Sequence, residues 1–429
     1  MTGVRIALAV ALVGAAAATP VAAQSYAITG GTIHTLAGDP FVGTVVIRAG
    51  EIAAVGADVE VPADAQIVDA TGQHVYPGMF DAASRLGLTE VGAVSVTNDH
   101  REQGAYKPHL QAATAIHPAS EHIPVARANG ITHTLTVPQG GRVPGQASLV
   151  VLDGWTIEEM AIDLGAAMAI SYPSRRGGFG RGGGGGEGGW KAAEKRYRET
   201  VAELDEWLEA ARRYDAAAAA GTTVERDLKA EAMARVARGE MPVLLAANGE
   251  RDIRSAVEWA SRQNLRFVIA GGREAWRIAD WLAEAGVDVV LSPTQSLPSG
   301  PDEPYDEAYA NPGKLHAAGV RIAFATFGSS DSRTLPYEAA QAVPYGLPRD
   351  AAIAAVTRNA AEMLGFGARL GTIEAGRIAN LMITDGDPLE IRTQVTGLFI
   401  LGREASLDNK HERLYERYRA RPPAGGTDR

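Results

Sequence analysis

Residues 241–327 alternate short apolar runs with amphipathic stretches, and that alternation limits the chain to very few folds. "MPVLLAA" (241–247) reads as a buried strand, and "ERDIRSAVEWASRQ" (250–263) as a helix carrying Ile253, Val257 and Ala260 on one face. "LRFVIAG" is the next strand and "EAWRIADWLAEAG" the next helix, ended by Gly286, with "VDVVLSP" and "VRIAFATF" as further strands. Strands this apolar on both faces need cover on both faces, which helical crossovers between parallel strands supply. Four such strands in half a chain predict an α/β fold built on a (β/α)8 TIM-like barrel.

The two ends have a different texture. "TVVIRAGEIAAVG" forms a hairpin, with Val45 to Ile47 as one strand, a turn at Ala49-Gly50, and Ile52 to Val55 as the other. "GTIEAGRIANLMITDGDP" and "VTGLFILGREASL" repeat the pattern of short strands and glycine turns near the far end. Residues 24–76 and 366–407 are therefore expected to form one small β-sandwich module around a barrel of residues 77–365, with 408–429 as a tail. "GGFGRGGGGGEGG" (177–189) has almost no side chain to pack and reads as a mobile linker loop. Only Arg181 lies inside it, so an RNA-binding tract is the weaker reading. Trp190, Tyr197, Val201, Leu204, Leu208 and Ala211 then recur at helical spacing up to Gly221. Thr222 with Glu225 suggests a capping box that opens a second helix through Val236, so residues 190–238 read as inserted helices.

The N-terminus and the composition narrow the setting. One arginine precedes the apolar run Ile6 to Ala18, and Val21-Ala22-Ala23 ends the segment with small residues. Residues 1–23 read as a secretory signal peptide, too short to span a bilayer, which places the mature chain in the periplasm or outside the cell. The chain has no cysteine, so neither disulfides nor a lipid-modified cysteine enter the argument. A formal net charge of -10 without a basic stripe argues against a nucleic-acid partner. No later stretch is apolar enough to hold a membrane after signal cleavage.

"VYPGMFDA" (75–82), leading into the first barrel strand, and "AAIAAVTRNAAEMLGFGARLGTIEAGRIANLMITDGDP" (351–388) carry a family likeness. In these motifs and in the split β-module the chain resembles the amidohydrolase superfamily, which includes imidazolonepropionase and dihydroorotase. The resemblance implies hydrolysis of C–N bonds other than peptide bonds, with one or two metal ions. It also implies ligands that are missing here. The first-strand motif Asp-x-His-x-His retains Asp81, but its histidine positions hold Ala83 and Arg85. The fifth-strand histidine falls on Ala246, with Asn248 two positions on. The sixth-strand histidine falls on Gly271, and the eighth-strand aspartate on Phe327. None of the six lysines ends a buried apolar run as a bridging lysine would.

Two arrangements remain by which chemistry could persist. His117, Glu121 and His122 follow the first strand, and with His100, His109 and His133 nearby they are the candidate set for a relocated zinc site. The rival is a polar loop whose histidines face water. Asp81 and Asp331 are the candidate carboxylate pair for metal-independent acid–base work. Their bland reading is a turn aspartate and a helix-capping aspartate. A catalytic metal lowers the pKa of its bound water from about 15.7 to about 7, which is on the order of 10 kcal/mol of activation. A positioned carboxylate contributes a factor of about 10² to 10⁴, far less. The expectation is an amidohydrolase-like protein without a metal cofactor. It would bind a small-molecule ligand among Ala83, Arg85, Asn248, Gly271, Phe327 and Asp331, or serve as partner to an active amidohydrolase homologue. N-terminal sequencing of the exported protein is expected to begin at Gln24; a mature chain still starting at Thr2 or Val4 overturns the signal-peptide reading.

Overall fold

The computed structural model describes residues 24–175, 187–223, 225–298 and 303–421. The expected signal peptide lies outside them, as does the glycine-rich stretch up to residue 186.

Strands from both chain ends form one sheet. Its strands are β1 (Ser25–Ile33), β2 (Phe41–Arg48), β3 (Glu51–Gly56), β4 (Gln66–Asp69) and β5 (His74–Pro77) from the N-terminal side. The barrel contributes β6 (Met79–Ser84), β7 (Ile131–Thr136), β8 (Gly145–Val151), β9 (Ala161–Ser171), β10 (Val243–Ala247), β11 (Phe267–Gly271), β12 (Val289–Leu291) and β13 (Ile322–Phe324). The chain then returns to the first sheet with β14 (Leu381–Thr384), β15 (Val395–Ile400) and β16 (Arg403–Glu404). The first sheet runs β16-β15-β14-β5-β1-β2-β3, with β4 also paired to β1. On one edge β1 serves two neighbours, β4 along Tyr26–Thr29 and β5 along Thr32–Ile33, and on the other its register with β2 breaks between Thr29 and Gly31. Gly30 sits there at φ +75°, and a Cβ on it would meet Thr71 Oγ1 at 2.5 Å. Only glycine allows that bend, which folds the sheet around Tyr26, Ile28, Val45, Ile47, Leu381 and Phe399.

The second sheet runs β13-β12-β11-β10-β9-β8-β7-β6 and curls into a nearly closed barrel. Seven strands share one direction, whereas β8 is antiparallel to both β7 and β9. A hairpin thus replaces one βα unit. Alternation along the strands sorts the side chains. Val243, Leu245, Ile269, Val289 and Phe324 face the helices, beside Ile253, Val257 and Trp259. Leu244, Val268, Ala270, Val290 and Ala323 fill the barrel with Phe80, Leu135 and Leu149.

The long helix Glu187–Ala219 buries Tyr197, Leu204, Leu208 and Ala211 as its spacing predicts, while Trp190 is exposed. The Thr222–Glu225 capping box does not form. The second helix runs Leu228–Ala237, and the Asp227 carboxylate caps it by accepting from the amides of Lys229 (2.8 Å) and Ala230 (3.1 Å). An anionic cap on the N-terminal end of the helix dipole outcompetes a hydroxyl five residues upstream. "EAWRIADWLAEAG" is also not one helix, but a 3-10 turn (Ala275–Ile278) followed by helix Ala279–Glu284. The tail holds a further helix, Lys410–Arg419, capped by Asn409. Asp227→Ala is expected to cost about 1 kcal/mol in urea unfolding, and Thr222→Ala to stay within about 0.5 kcal/mol of the parent; the reverse order would restore the upstream cap.

Candidate functional site

The barrel is sealed where its first and last strands meet. The Asp81 side chain, wholly buried, accepts from the Thr326 amide (3.0 Å) and lies 2.5 Å from the Thr326 hydroxyl. One step further out, the Phe327 amide donates to the Ala83 carbonyl, and the Arg85 amide to the Gly328 carbonyl, each at 2.8 Å. Phe327 has φ +50° and packs its ring against the barrel interior. A left-handed backbone costs a residue with a Cβ roughly 1–2 kcal/mol, so the surrounding bonds must hold it there. In this conformation the Phe327 carbonyl accepts Arg85 Nε at 3.0 Å. Arg85 Nη1 and Nη2 make no hydrogen bond among the described residues.

Arg85 and Asp331 line one cavity of about 570 Å³, with Glu90, Asn98, His100 and Arg101. The loop above it braces itself. Asn98 Nδ2 donates to the carbonyls of Val94 (2.9 Å) and Gly92 (3.2 Å). Lys107 is buried, and its ammonium donates to the carbonyls of Glu102, Gly104 and Gly140 at 2.7–2.9 Å. That ties the loop carrying His100 and Arg101 to the β7–β8 connection. His100 Nδ1 lies 3.1 Å from Thr89 Oγ1. Burial, then the charges of Arg85 and Arg101, hold its imidazole below the usual pKa, which favours the neutral ring.

Of the other predicted residues only His122 joins that cavity. Asn248 lines a separate one of about 260 Å³, with Tyr172, Ser174, Asp252, Arg273 and Glu274. Ala83 is sealed in the barrel interior and Gly271 is buried, so neither lines either cavity. Asp81 and Asp331 do not face one another as a pair. Asp81 is closed off by Thr326, whereas Asp331 is exposed on the turn Ser330–Thr334. The loop histidines do not converge either. His117 is exposed, the Glu121 carboxylate turns toward Arg413 (3.4 Å), and His122 Nε2 lies 2.8 Å from the Glu90 carbonyl. Among the described residues no group of three or more His, Asp or Glu side chains is placed to hold a metal ion.

These features describe a barrel scaffold with a cavity beside the ends of its strands. The chain belongs to the amidohydrolase family, whose pattern residues 184–403 match. An amidohydrolase from Thermotoga maritima MSB8 superposes with a TM-score of 0.77 at 27% identity, covering 89% of this chain and 99% of that one. The structure of a molinate hydrolase shares the fold alone, with a TM-score of 0.56, 16% identity and coverage of 94% and 99%. Amidohydrolase tasK of Hapsidospora irregularis is 24% identical over 392 residues, which are 84% of this chain. The chain spans only about two fifths (40%) of that relative's length.

The metal the family implies does not fit the positions where its ligands are expected. Ala83, Ala246, Gly271 and Phe327 offer no side-chain donor, and Arg85 brings a positive charge. At Gly271 the misfit is also steric, because φ is +106° and a Cβ would meet Asn248 Oδ1 at 2.4 Å. No step through a metal follows from such a set.

Sequence reading missed Thr326 and Ser332, because nothing local marks a threonine as partner to an aspartate 245 positions away. It also missed how His133 is buried. That side chain is fully enclosed against Phe80, with Nδ1 2.7 Å from Thr132 Oγ1 and no partner for Nε2. Burial pushes Asp81 up to about 7, against hydrogen bonds from Thr326 that favour the anion. Burial alone pushes His133 down to about 3. The protonated Asp81 can donate to Thr326 Oγ1, which lies 3.4 Å from the Ser332 hydroxyl.

The two groups act oppositely on stability. Asp81 keeps a proton that the unfolded chain releases above 3.8, so its contribution falls as pH rises from about 4 to about 7. His133 stays neutral where the unfolded chain binds a proton below 6.5, so its contribution falls as pH drops from 6.5 toward 3. The slopes oppose each other, each at most about 1.4 kcal/mol per pH unit. Asp81→Asn, which imitates the protonated acid, is expected to lose stability relative to wild type as pH falls from 6.5 to 4.5. His133→Gln is expected to gain over the same interval. Melting curves of both variants that run parallel to wild type across this range would remove both assignments.

Proposed function

We propose that this protein is an exported, periplasmic or secreted member of the amidohydrolase family that binds a small anionic molecule at the barrel mouth and performs no metal-dependent hydrolysis. Support for this comes from one residue above all. Arg85 stands where the family pattern has its second first-strand histidine, so a permanent cation replaces a metal ligand. Its Nε is tethered to the Phe327 carbonyl, and its two Nη groups remain for a carboxylate, which a guanidinium holds in a bidentate fork. The cavity of about 570 Å³ suits a small molecule. Phe327 in place of the general base and the sealed Asp81 favour binding over proton transfer.

Elemental analysis of the purified protein is expected to find well below one equivalent of zinc, iron, nickel or manganese, and chelator to leave its melting temperature unchanged. A bound ligand at a hundredfold excess over Kd stabilises the native state by about 2.7 kcal/mol. Small carboxylates should therefore raise the melting temperature of the wild type and not that of Arg85→Gln. Stoichiometric metal whose removal lowers the melting temperature would overturn the reading.

A further inference from the structure

Four charged side chains line the mouth cavity, two of each sign: Arg85 and Arg101, Glu90 and Asp331. Among the described residues none of the four is ion-paired to another. Elsewhere exposed charges on this chain do find partners, as in Arg48–Asp64 at 2.9 Å and Arg321–Asp288 at 2.5 Å. Two of the four are held by bonds of their own. Arg85 is tethered through Nε to the Phe327 carbonyl. Glu90 spends one oxygen on the Ser120 hydroxyl (2.5 Å) and the other on the Glu121 amide (3.1 Å). Asp331 sits on the 3-10 turn Ser330–Thr334, and its carboxylate has only the Ser330 hydroxyl at 3.3 Å.

A cation and a carboxylate that share a cavity without neutralising each other form a preorganised dipolar surface. A ligand of one charge would satisfy one end and leave the other unpaired. A ligand carrying both charges would satisfy both ends, with little cost in rearranging the protein. Accepting the mouth as an anion site, on which this step rests, we infer that its ligand is a zwitterion of the amino-acid type. The carboxylate lies in the fork of Arg85 Nη1 and Nη2. The ammonium lies against Asp331, whose oxygens are less committed than those of Glu90.

Calorimetry at low ionic strength tests this with glycine, β-alanine, 4-aminobutyrate and 6-aminohexanoate, against butyrate and butylamine as single-charge controls. At least one amino acid is expected to bind tenfold or more tightly than either control. Asp331→Asn, an exposed change, should bring that amino acid to the affinity of butyrate and leave butyrate itself within twofold. Arg85→Gln should abolish both. Butyrate binding as tightly as every amino acid, or an amino acid indifferent to Asp331→Asn, would overturn the dipolar ligand and keep the anion site. No binding of butyrate or of any amino acid would take down both readings. The Asp331→Asn arm stays decisive even where Arg85→Gln fails to fold.

Discussion

The contact between Asp81 and Thr326 closes the barrel, and much of the mouth follows from it. It joins the first barrel strand to the end of the last through the threonine amide and hydroxyl, in a place closed to solvent. With that seam closed, Phe327 takes a left-handed backbone, its ring covers the barrel interior, and its carbonyl receives Arg85. The guanidinium is thus held at the mouth by the same few residues that hold the strands together.

Asp81, kept from the family pattern, ties two strands together. Wholly buried, a carboxylate is disfavoured against its acid even where hydrogen bonds from Thr326 favour the anion, so Asp81 is pushed up to about 7. A carboxyl in that state serves as a hydrogen-bonding bolt between strands. His133 shows the same economy in reverse, a neutral ring packed on Phe80 as a core side chain. Together they show polar groups of a barrel interior absorbed into packing, where their opposing pH dependences overlap.

The loop above the mouth is built for rigidity. The Lys107 ammonium inside three carbonyls and the Asn98 amide under its own turn supply fixed donors in place of helical cover. A hairpin at β8 stands where a βα unit would otherwise be, and this loop bridges to it. The loop carries Arg101 and His100, which line the mouth cavity with Arg85.

The periodic parts could be read from the order of residues: buried strands 243–247 and 267–271, the helix face of Ile253 and Val257, and the split module whose strands repeat at both ends. These were legible because hydrophobic spacing is a local property, written into neighbouring residues. The sequence also showed that the family's ligand positions hold Ala83, Arg85, Ala246, Gly271 and Phe327. Where those positions lie in the molecule depended on the folded chain. That Arg85 and Asp331 share a cavity while Asn248 lines another, that Asn248 fills the space above Gly271, and that Asp81 is bound to Thr326 all depend on segments far apart in the chain. Burial and long-range hydrogen bonds set those outcomes, and neither is encoded in local spacing.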